Sequence, residues 1–477
     1  MSAGRTGRNA GRGSAGRVTA VAGESALPDP AAPSPLDPSG TPAARTSARE
    51  ILALAVPAFG ALVAQPLFTL IDAAIVATLG TTSLAALGAG AQVFTTVTGL
   101  AIFLAYGTTA VVARRVGAGQ VAAGISDGIE GVALGLGLGV AATAGTWLLG
   151  PQLLEWIGTS PATTPEALAY LRTISLAFPF ALAAMAAIGV LRGLQDTATT
   201  LWVTLAAVGT NLALAAYLVL VARWGITGSA WATVIAEALA AGLFLWELAR
   251  RARRHGASLQ PSRSGVLVAA RGSVPLFWRT VALRAVFVLA VVVAARLGDA
   301  ELAAYYVTFT LWYLLALGMD ALAIAGQALL GRHLGAGSVG TARAVTWQMT
   351  RWGVWLGVIL MGLVLAARPW VPGLFGDDTA VQAMVAAALV VVALQQPLAG
   401  VVFVLDGVLL GAGDARFLVW AQVLALAAFA PAAWWVLRSQ GSVASLWGAL
   451  TIFMLVRAVA FGWRVRGAAW LVTGATR

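Results

Sequence analysis

Long apolar stretches of this chain alternate with short polar or glycine-rich breaks. Residues 132–149, 201–221 and 354–367 are nearly free of charge, as expected of helices that need about 20 residues to cross a bilayer. Strands of alternating polarity are missing, which disfavours an outer-membrane barrel. The pattern predicts roughly twelve membrane spans, over residues 49–76, 84–112, 122–149, 165–191, 198–222, 225–249, 268–295, 302–330, 340–366, 380–411, 417–437 and 442–465.

The second half of the chain repeats the first at a constant offset. Gly117 and its neighbours return at Gly335 (335 − 117 = 218), and the same interval separates Pro179 from Pro397. About six spans in each half give both halves one orientation, related by an axis along the membrane normal. We therefore predict an all-α integral membrane protein with two bundles of about six helices and a pseudo-two-fold axis.

The composition makes the bilayer the solvent of this chain. Hydrophobic residues account for 60% and charged residues for 10%, with a mean hydropathy of +0.86, so charges are too few to cover a soluble surface. The net charge of +11 comes from arginines, and the positive-inside rule places both termini in the cytoplasm of an inner (plasma) membrane protein. The basic charge is thus a topology signal, and we expect no nucleic-acid partner.

These features predict the organisation of the chain. Residues 1–48 form a disordered cytoplasmic tail rich in Arg, Gly and Pro, and 49–249 form the N-terminal bundle. A basic cytoplasmic linker follows at 250–267, then the C-terminal bundle at 268–466 and a cytoplasmic tail at 467–477. We expect a monomer in the lipid bilayer.

Several classes of chemistry are excluded by what the chain lacks. It has no cysteine, no HExxH or GxSxG motif and no phosphate-binding GxxxxGK[ST] loop, so we expect neither an enzyme nor an ATP-driven pump. Both histidines, His255 and His333, are predicted to lie beside arginines in cytoplasmic loops, where neither is placed for a metal site. No cofactor is expected, and an ion gradient is the remaining source of energy.

Asp72 is the leading candidate for ion coupling. It lies in the first apolar span, and its repeat counterpart is Ala290 (72 + 218 = 290). A carboxyl group in a span is costly unless it is neutralised, paired or hydrated, so it suggests a functional site. The alternative is that Asp72 caps or hydrogen-bonds a neighbouring helix.

Three uncharged polar residues are candidate partners of Asp72. Asn211 in the fifth span can donate to a carboxylate or help to bind an ion. Gln65 and Thr69 precede Asp72 by seven and three residues and share its helical face. Each of the three serves equally well as a hydrogen bond between helices.

Two further charged residues are candidates for a substrate or coupling role. Glu237 in span six and Arg457 in span twelve occupy nearly matching places in the two halves, which predicts an ion pair across the pseudo-symmetry axis. Arg279 and Arg284 open span seven, and we expect them to extend toward the cytoplasmic interface.

The second half holds its own group of polar residues. Asp320 and Gln327 are seven residues apart on one helical face, and Asp406 lies in span ten. These residues line a cavity of the second half, or Asp320 pairs with Arg284 to close the structure. Asp196 and Asp414 are repeat-related and precede helices, so they are predicted N-caps.

Six sequence motifs stand out along the chain: the Pro57-to-Asp72 span, Arg114–Gly119, Arg192–Thr197, Gly228–Thr233, Asp320–Gly331 and Leu405–Asp414. In their order and spacing they resemble the multidrug and toxic compound extrusion (MATE) family over residues 49–466. The last two motifs, in the second half, are similar to the DinF branch of that family.

The resemblance implies a V-shaped pair of bundles that exports drugs or metabolites in exchange for protons or sodium. Asp72 matches the family's first-helix aspartate, and Pro57 matches the proline at which that helix bends. Ala215 departs from members that carry a second acid in the fifth span, which places more weight on Asp72 and Glu237.

The sequence thus predicts a multidrug efflux antiporter that works by alternating access. We expect proton coupling, with sodium as the alternative ion, and amphipathic organic cations or metabolites as substrates, because few acids lie among many aromatic residues. The competing hypotheses are a flippase for lipid-linked precursors, which the acidic first span disfavours, and a channel.

Overall fold

A computed structural model describes residues 48–476, so the predicted tail lies outside the described residues except for Ala48. The described part of the chain is helical and contains no strand. Its α-helices are α1 Ala48–Ala77, α2 Thr81–Leu100, α3 Phe103–Gly117, α4 Val121–Ile157, α5 Thr164–Ser175, α6 Phe178–Gly193, α7 Thr197–Ala216, α8 Ile226–His255, α9 Arg263–Leu297, α10 Asp299–Gly335, α11 Val339–Ala367, α12 Thr379–Leu394, α13 Gln396–Gly411, α14 Ala415–Arg438 and α15 Val443–Arg466.

The helices account for the predicted spans. Within the described residues, 10 spans are long and apolar enough to cross a membrane, with α2 and α3 counted together, and the number rises to 12 if each of two bent pairs is one span. The bent pairs are α5–α6, at 45°, and α12–α13, at 51°. They hold the repeat-related prolines Pro179 and Pro397 in the first turn of the second helix, where proline is tolerated.

The helices form two lobes that correspond to the two sequence repeats. In the N-lobe, α4 and α3 pack on α6, and α7 packs on α1 and α8; in the C-lobe, α11 and α10 pack on α13, and α14 packs on α9 and α15. The lobes meet mainly where α10 contacts α1 and α3.

Glycines set the closest helix crossings in both lobes. An added Cβ at Gly139 of α4 would lie 2.6 Å from the carbonyl oxygen of Phe178 in α6. At Gly357 of α11, the repeat counterpart, it would lie 2.6 Å from the Cα of Pro397 in α13. Backbones this close leave no space for a side chain, a common device for packing membrane helices.

Ion pairs gather at one end of the bundle, which we call the arginine-rich end and define by Arg114, Arg251, Arg332 and Arg464. Asp196 caps α7, accepting from the backbone N of Thr199 at 2.9 Å, and pairs with Arg251 of α8. Asp414 stands at the start of α14 without a side-chain capping bond and pairs with Arg464 of α15 at 2.6 Å. The capping prediction is therefore right for Asp196 and wrong for Asp414.

The carboxyl group of Asp196 lies in the loop between α6 and α7 and stays charged. Partial burial opposes its ionisation, but hydrogen bonds from Thr199 and Arg251 outweigh this effect and lower its pKa. The ion pair therefore holds the start of α7 to the last turns of α8.

The lobes are joined at the arginine-rich end by two repeat-related arginines. Arg114 of α3 donates from Nη2 to the carbonyl of Ala412 in the C-lobe at 3.0 Å. Arg332 of α10 donates to Oε1 of Gln195 in the N-lobe at 2.8 Å. Each arginine therefore bonds across the junction between the lobes, Arg114 from the N-lobe and Arg332 from the C-lobe.

Helices occupy most of the predicted linker, and the C-terminal segment is docked on the lobes. Helices α8 and α9 extend into the predicted 250–267 linker, so that only residues 256–262 are non-helical. The end of the chain packs on the lobes, because Arg114 donates to the carbonyl of Val472 at 2.7 Å and the N–H of Gly474 donates to Leu334 at 3.0 Å. Trp470 is 1% exposed.

Candidate ion and substrate sites

Asp72 lies near the end of α1 that is remote from the arginine-rich end, five residues before Ala77. Its side chain is 6% exposed. The hydroxyl of Ser229, in the first turn of α8, lies 2.8 Å from Oδ1 and 3.0 Å from Oδ2. Among residues 48–476, no arginine forms an ion pair with Asp72. The buried carboxyl group is therefore held by a neutral donor.

Asn211 reaches this site through Thr233. Its Nδ2 donates to Oγ1 of Thr233 at 3.2 Å, and that hydroxyl donates to the carbonyl of Ser229 at 3.2 Å. Oδ1 of Asn211 is buried and has no hydrogen-bond partner within the described part of the chain. A buried amide oxygen without a partner is costly, so this atom is available to accept from an incoming group. We call Asp72, Asn211, Ser229 and Thr233 the N-lobe polar cluster.

Tyr170 of α5 closes the cluster. It is 2% exposed and lies near Asp72 and Ser229. Sequence analysis did not propose Ser229, Thr233 or Tyr170 as site residues. Ser229 and Thr233 had a signal, because they are the polar positions of the Gly228–Thr233 motif, whereas nothing in the sequence marked Tyr170.

Gln65 and Thr69 do not join Asp72 in the buried cluster. Both side chains are exposed, and the hydroxyl of Thr69 donates to the carbonyl of Gln65 at 3.1 Å within α1. Ala215, where a second acid was considered, is fully buried. Helix α1 runs through Pro57 without a break.

The predicted ion pair between Glu237 and Arg457 is wrong. Glu237 of α8 has no ion pair among the described residues, whereas Nη2 of Arg457 lies 3.7 Å from Oδ1 of Asp406. Asp406 belongs to α13 and Arg457 to α15, so this contact is internal to the C-lobe. The sequence showed that Glu237 and Arg457 lie within apolar spans, but it contained no information on which helix each would face.

Arg279 corrects a second prediction. It lies in the middle of α9, is 4% exposed and forms an ion pair with Asp406, so it does not extend to the interface. Its guanidinium also lies 5.7 Å from the centre of the Tyr106 ring. We call Arg279, Asp406 and Arg457 the C-lobe charge cluster.

Asp320 and Gln327 lie beside this cluster. Together with Tyr106 and Asp406 they line a small cavity where α3 of the N-lobe meets α10 and α13. Nε2 of Gln327 donates to the carbonyl of Tyr106 at 2.8 Å, which ties the two lobes. Asp320 therefore lines a cavity, the first of its two predicted alternatives. It forms no ion pair with Arg284 within residues 48–476.

Arg284 occupies a different place from Arg279. It is exposed, near the middle of α9, and its guanidinium lies against Gly99 of α2. It also lies near Tyr313 of α10, which is 46% exposed. Contacts with helices of both lobes place Arg284 between the lobes, where a mid-span charge can be hydrated.

The family profile MatE matches residues 57–217 and again residues 275–435, each block displaced by the repeat interval (275 − 57 = 218). The chain belongs to the MatE family. It is a membrane transporter of the multidrug and toxic compound extrusion type and not an enzyme.

Known proteins agree with the MatE assignment over most of the chain. Protein DETOXIFICATION 44, chloroplastic, of Arabidopsis thaliana is 31% identical over 432 residues, 87% of this chain and 82% of the relative. DNA damage-inducible protein F of Escherichia coli is 28% identical, covering 88% of this chain and 92% of the relative. A MOP superfamily transporter from Pyrococcus furiosus Vc1 shares the fold, with a TM-score of 0.81 at 20% identity over 88% of this chain and 96% of its own.

Proposed function

We propose that this MatE protein is a secondary active efflux antiporter in which Asp72 carries the coupling proton. The observation that carries the proposal is the environment of Asp72: a buried carboxyl group whose partner is the neutral hydroxyl of Ser229. An acid without a neighbouring cation is costly to ionise in a membrane interior. The charge on Asp72 therefore changes the relative stability of different packing arrangements of α1, α5 and α8.

The proposed cycle uses the two ends of the bundle. We place the arginine-rich end in the cytoplasm, following the positive-inside rule, which puts both the start of α1 and the end of α15 there. Arg114 and Arg332 hold this end closed, so Asp72 takes a proton from the outside. Protonation removes the charge and lets α1 repack, with Pro57 as the point where a missing backbone hydrogen bond permits bending.

The gradient supplies enough energy for such coupling. One pH unit provides about 1.4 kcal/mol, and one charge moved through 100 mV provides about 2.3 kcal/mol. A coupling free energy between two sites is typically about 1–3 kcal/mol. Proton entry at a single carboxyl group is therefore sufficient.

The substrates we propose are amphipathic drugs, organic cations or metabolites. Tyr313 of α10 has an exposed ring, and Gln65 and Thr69 are exposed, uncharged polar side chains on α1. Rings and hydroxyl groups suit ligands of varied shape. Arg284 lies between the lobes, and its charge disfavours binding of the positive group of a substrate close to α2.

The test is dye flux in proteoliposomes under an imposed pH gradient, with and without sodium. We expect wild-type flux to follow the pH gradient and to be lost in Asp72→Asn. Glu237→Gln is the matched control, since Glu237 is also an acid in a span without an ion pair among residues 48–476. Proton-driven flux that persists in Asp72→Asn contradicts the proposal. Flux that follows only the sodium gradient would identify sodium, rather than the proton, as the coupling ion.

A further inference from the structure

A cavity at the arginine-rich end has no place in the transport cycle described above. It measures about 160 Å³ and lies between the first turns of α11 and the end of α15. Liquid water occupies about 30 Å³ per molecule, so a group of several heavy atoms fits. Its walls are Arg343, Thr346, Trp347, Val465, Arg466 and Trp470.

The two arginines of this cavity are exposed, and they differ from some of the other arginines at this end in having no acidic partner. At the same end, Arg115 pairs with Asp127 at 2.8 Å and Arg464 pairs with Asp414 at 2.6 Å. Arg343 and Arg466 have no ion pair and no hydrogen bond within residues 48–476, and the cavity wall contains no acid. Two guanidinium groups that share one cavity repel each other unless an anion lies between them.

The aromatic walls show where this cavity meets the bilayer. Trp347 is 53% exposed near the start of α11, whereas Trp470 is 1% exposed and forms the inner wall. Exposed tryptophans at helix ends occupy the headgroup level of a membrane. The hydroxyl of Thr346 donates to the carbonyl of Ala342 at 2.8 Å, so its lone pairs remain available to a donor.

We propose that this cavity binds a phosphate group, and that its source is the headgroup of an anionic phospholipid. Arginine binds phosphate through two parallel hydrogen bonds, and basic pockets at the cytoplasmic side of membrane helices suit anionic headgroups. The interfacial position of Trp347 favours a lipid over free phosphate, which has the same chemistry. Binding at this site does not require Asp72 to carry the coupling proton, although it acts on the same closed end of the bundle.

Occupancy of the cavity affects the end of the chain. Trp470 forms its inner wall, and two residues later the segment crosses to Arg114 of the N-lobe, which holds the carbonyl of Val472 at 2.7 Å. A bound headgroup that packs on Trp470 therefore stabilises residues 467–476 in their docked position. Because Arg114 also contacts Ala412, the same binding favours closure of the arginine-rich end.

The test is native mass spectrometry of the full chain in detergent with equimolar phosphatidylglycerol and phosphatidylcholine. We expect wild type to retain phosphatidylglycerol selectively. Two arginines at about 1 kcal/mol each correspond to roughly thirty-fold weaker retention in Arg343→Gln/Arg466→Gln. Arg438→Gln is the matched control, because Arg438 is also exposed beside a tryptophan, Trp434. Arg438 ends α14 and is remote from the arginine-rich end, where α14 begins.

Two outcomes overturn the proposal. One is equal retention of phosphatidylcholine by wild type, and the other is a loss in Arg438→Gln as large as that in the double variant. The Arg343→Lys/Arg466→Lys variant keeps the charge and serves as a folding check with intermediate retention. Inorganic phosphate that binds as tightly as the lipid supports the phosphate site but identifies free phosphate as the ligand.

Hydrogen exchange tests the consequence for the C-terminal segment. Phosphatidylglycerol should slow amide exchange in residues 467–476 of wild type and not of the double variant. Exchange in this segment that is insensitive to the lipid contradicts the link between the cavity and Arg114.

Discussion

The two lobes share a backbone plan but place their polar chemistry at different positions. Asp72, Ser229 and Asn211 of the N-lobe polar cluster correspond to Ala290, Trp447 and Phe429 in the C-lobe (72 + 218 = 290, 229 + 218 = 447, 211 + 218 = 429). The C-lobe residues are all 1% exposed or less. The place that holds a carboxyl group in one lobe is therefore filled by apolar packing in the other.

The C-lobe charge cluster shows the converse. Its residues Arg279 and Asp406 correspond to Ala61 and Ile188 in the N-lobe (279 − 218 = 61, 406 − 218 = 188). In the C-lobe the acid has two arginine neighbours, whereas Asp72 has a hydroxyl group. A paired carboxylate stays charged, and an unpaired one changes its charge at lower cost. The contrast supports our proposal that Asp72, rather than Asp406, exchanges the proton.

The largest expected effect comes from breaking the paired cluster. Asp406→Asn leaves Arg279 and Arg457 buried without a counter-charge, and removal of one partner of a buried ion pair costs about 3–5 kcal/mol. The free energy of unfolding, measured by SDS titration in mixed micelles, should fall by this amount. Asp377→Asn, in an exposed loop, is the control, and an equally stable Asp406→Asn protein would contradict the role of the cluster.

An aspartate introduced at the matching position of the C-lobe tests this difference between the lobes. Ala290→Asp places a carboxyl group at the C-lobe position equivalent to Asp72, against Trp447 and Phe429 rather than hydroxyl groups. The expected loss is about 2.5–3.5 kcal/mol, the cost of an aspartate in a membrane helix, by the same SDS titration. If Ala290→Asp is as stable as wild type, the local environment does not decide where an acid is accepted.

The smallest expected effect concerns Thr233, which is compared with its repeat counterpart Thr451. Thr233→Val removes the acceptor of Asn211, and loss of such a hydrogen bond costs about 0.5–1.5 kcal/mol. Proton-driven flux in proteoliposomes should fall by up to about tenfold. Thr451→Val is the matched control (233 + 218 = 451), because Thr451 contacts Gln395 of the C-lobe. Equal losses in both variants would show that the effect is structural.

The fold could be predicted because bilayer burial acts on every residue of a span. Hydropathy and the constant offset located the spans, and the family blocks at 57–217 and 275–435 follow the same offset. The bent pairs at Pro179 and Pro397 were predicted as single spans, since hydropathy does not register a bend.

The sites could be predicted only in part. Asp72 attracted attention because an acid in an apolar span is costly, and its coupling role is still a prediction. The partner of Arg279 was not, because Asp406 lies 127 residues away and the contact depends on the rotation of two helices. Glu237 and Arg457 matched in sequence position, but repeat symmetry relates equivalent surfaces and does not bring them together.

The most direct test of the account is infrared difference spectroscopy of the protein during a pH titration. The carbonyl-stretch band of protonated carboxyl groups should grow in wild type as the pH falls, and Asp72→Asn should remove one component of it that Asp406→Asn leaves in place. A pH-difference spectrum that is the same in Asp72→Asn and in wild type would show that another group takes the proton, and the distinction between Asp72 and Asp406 would then be wrong.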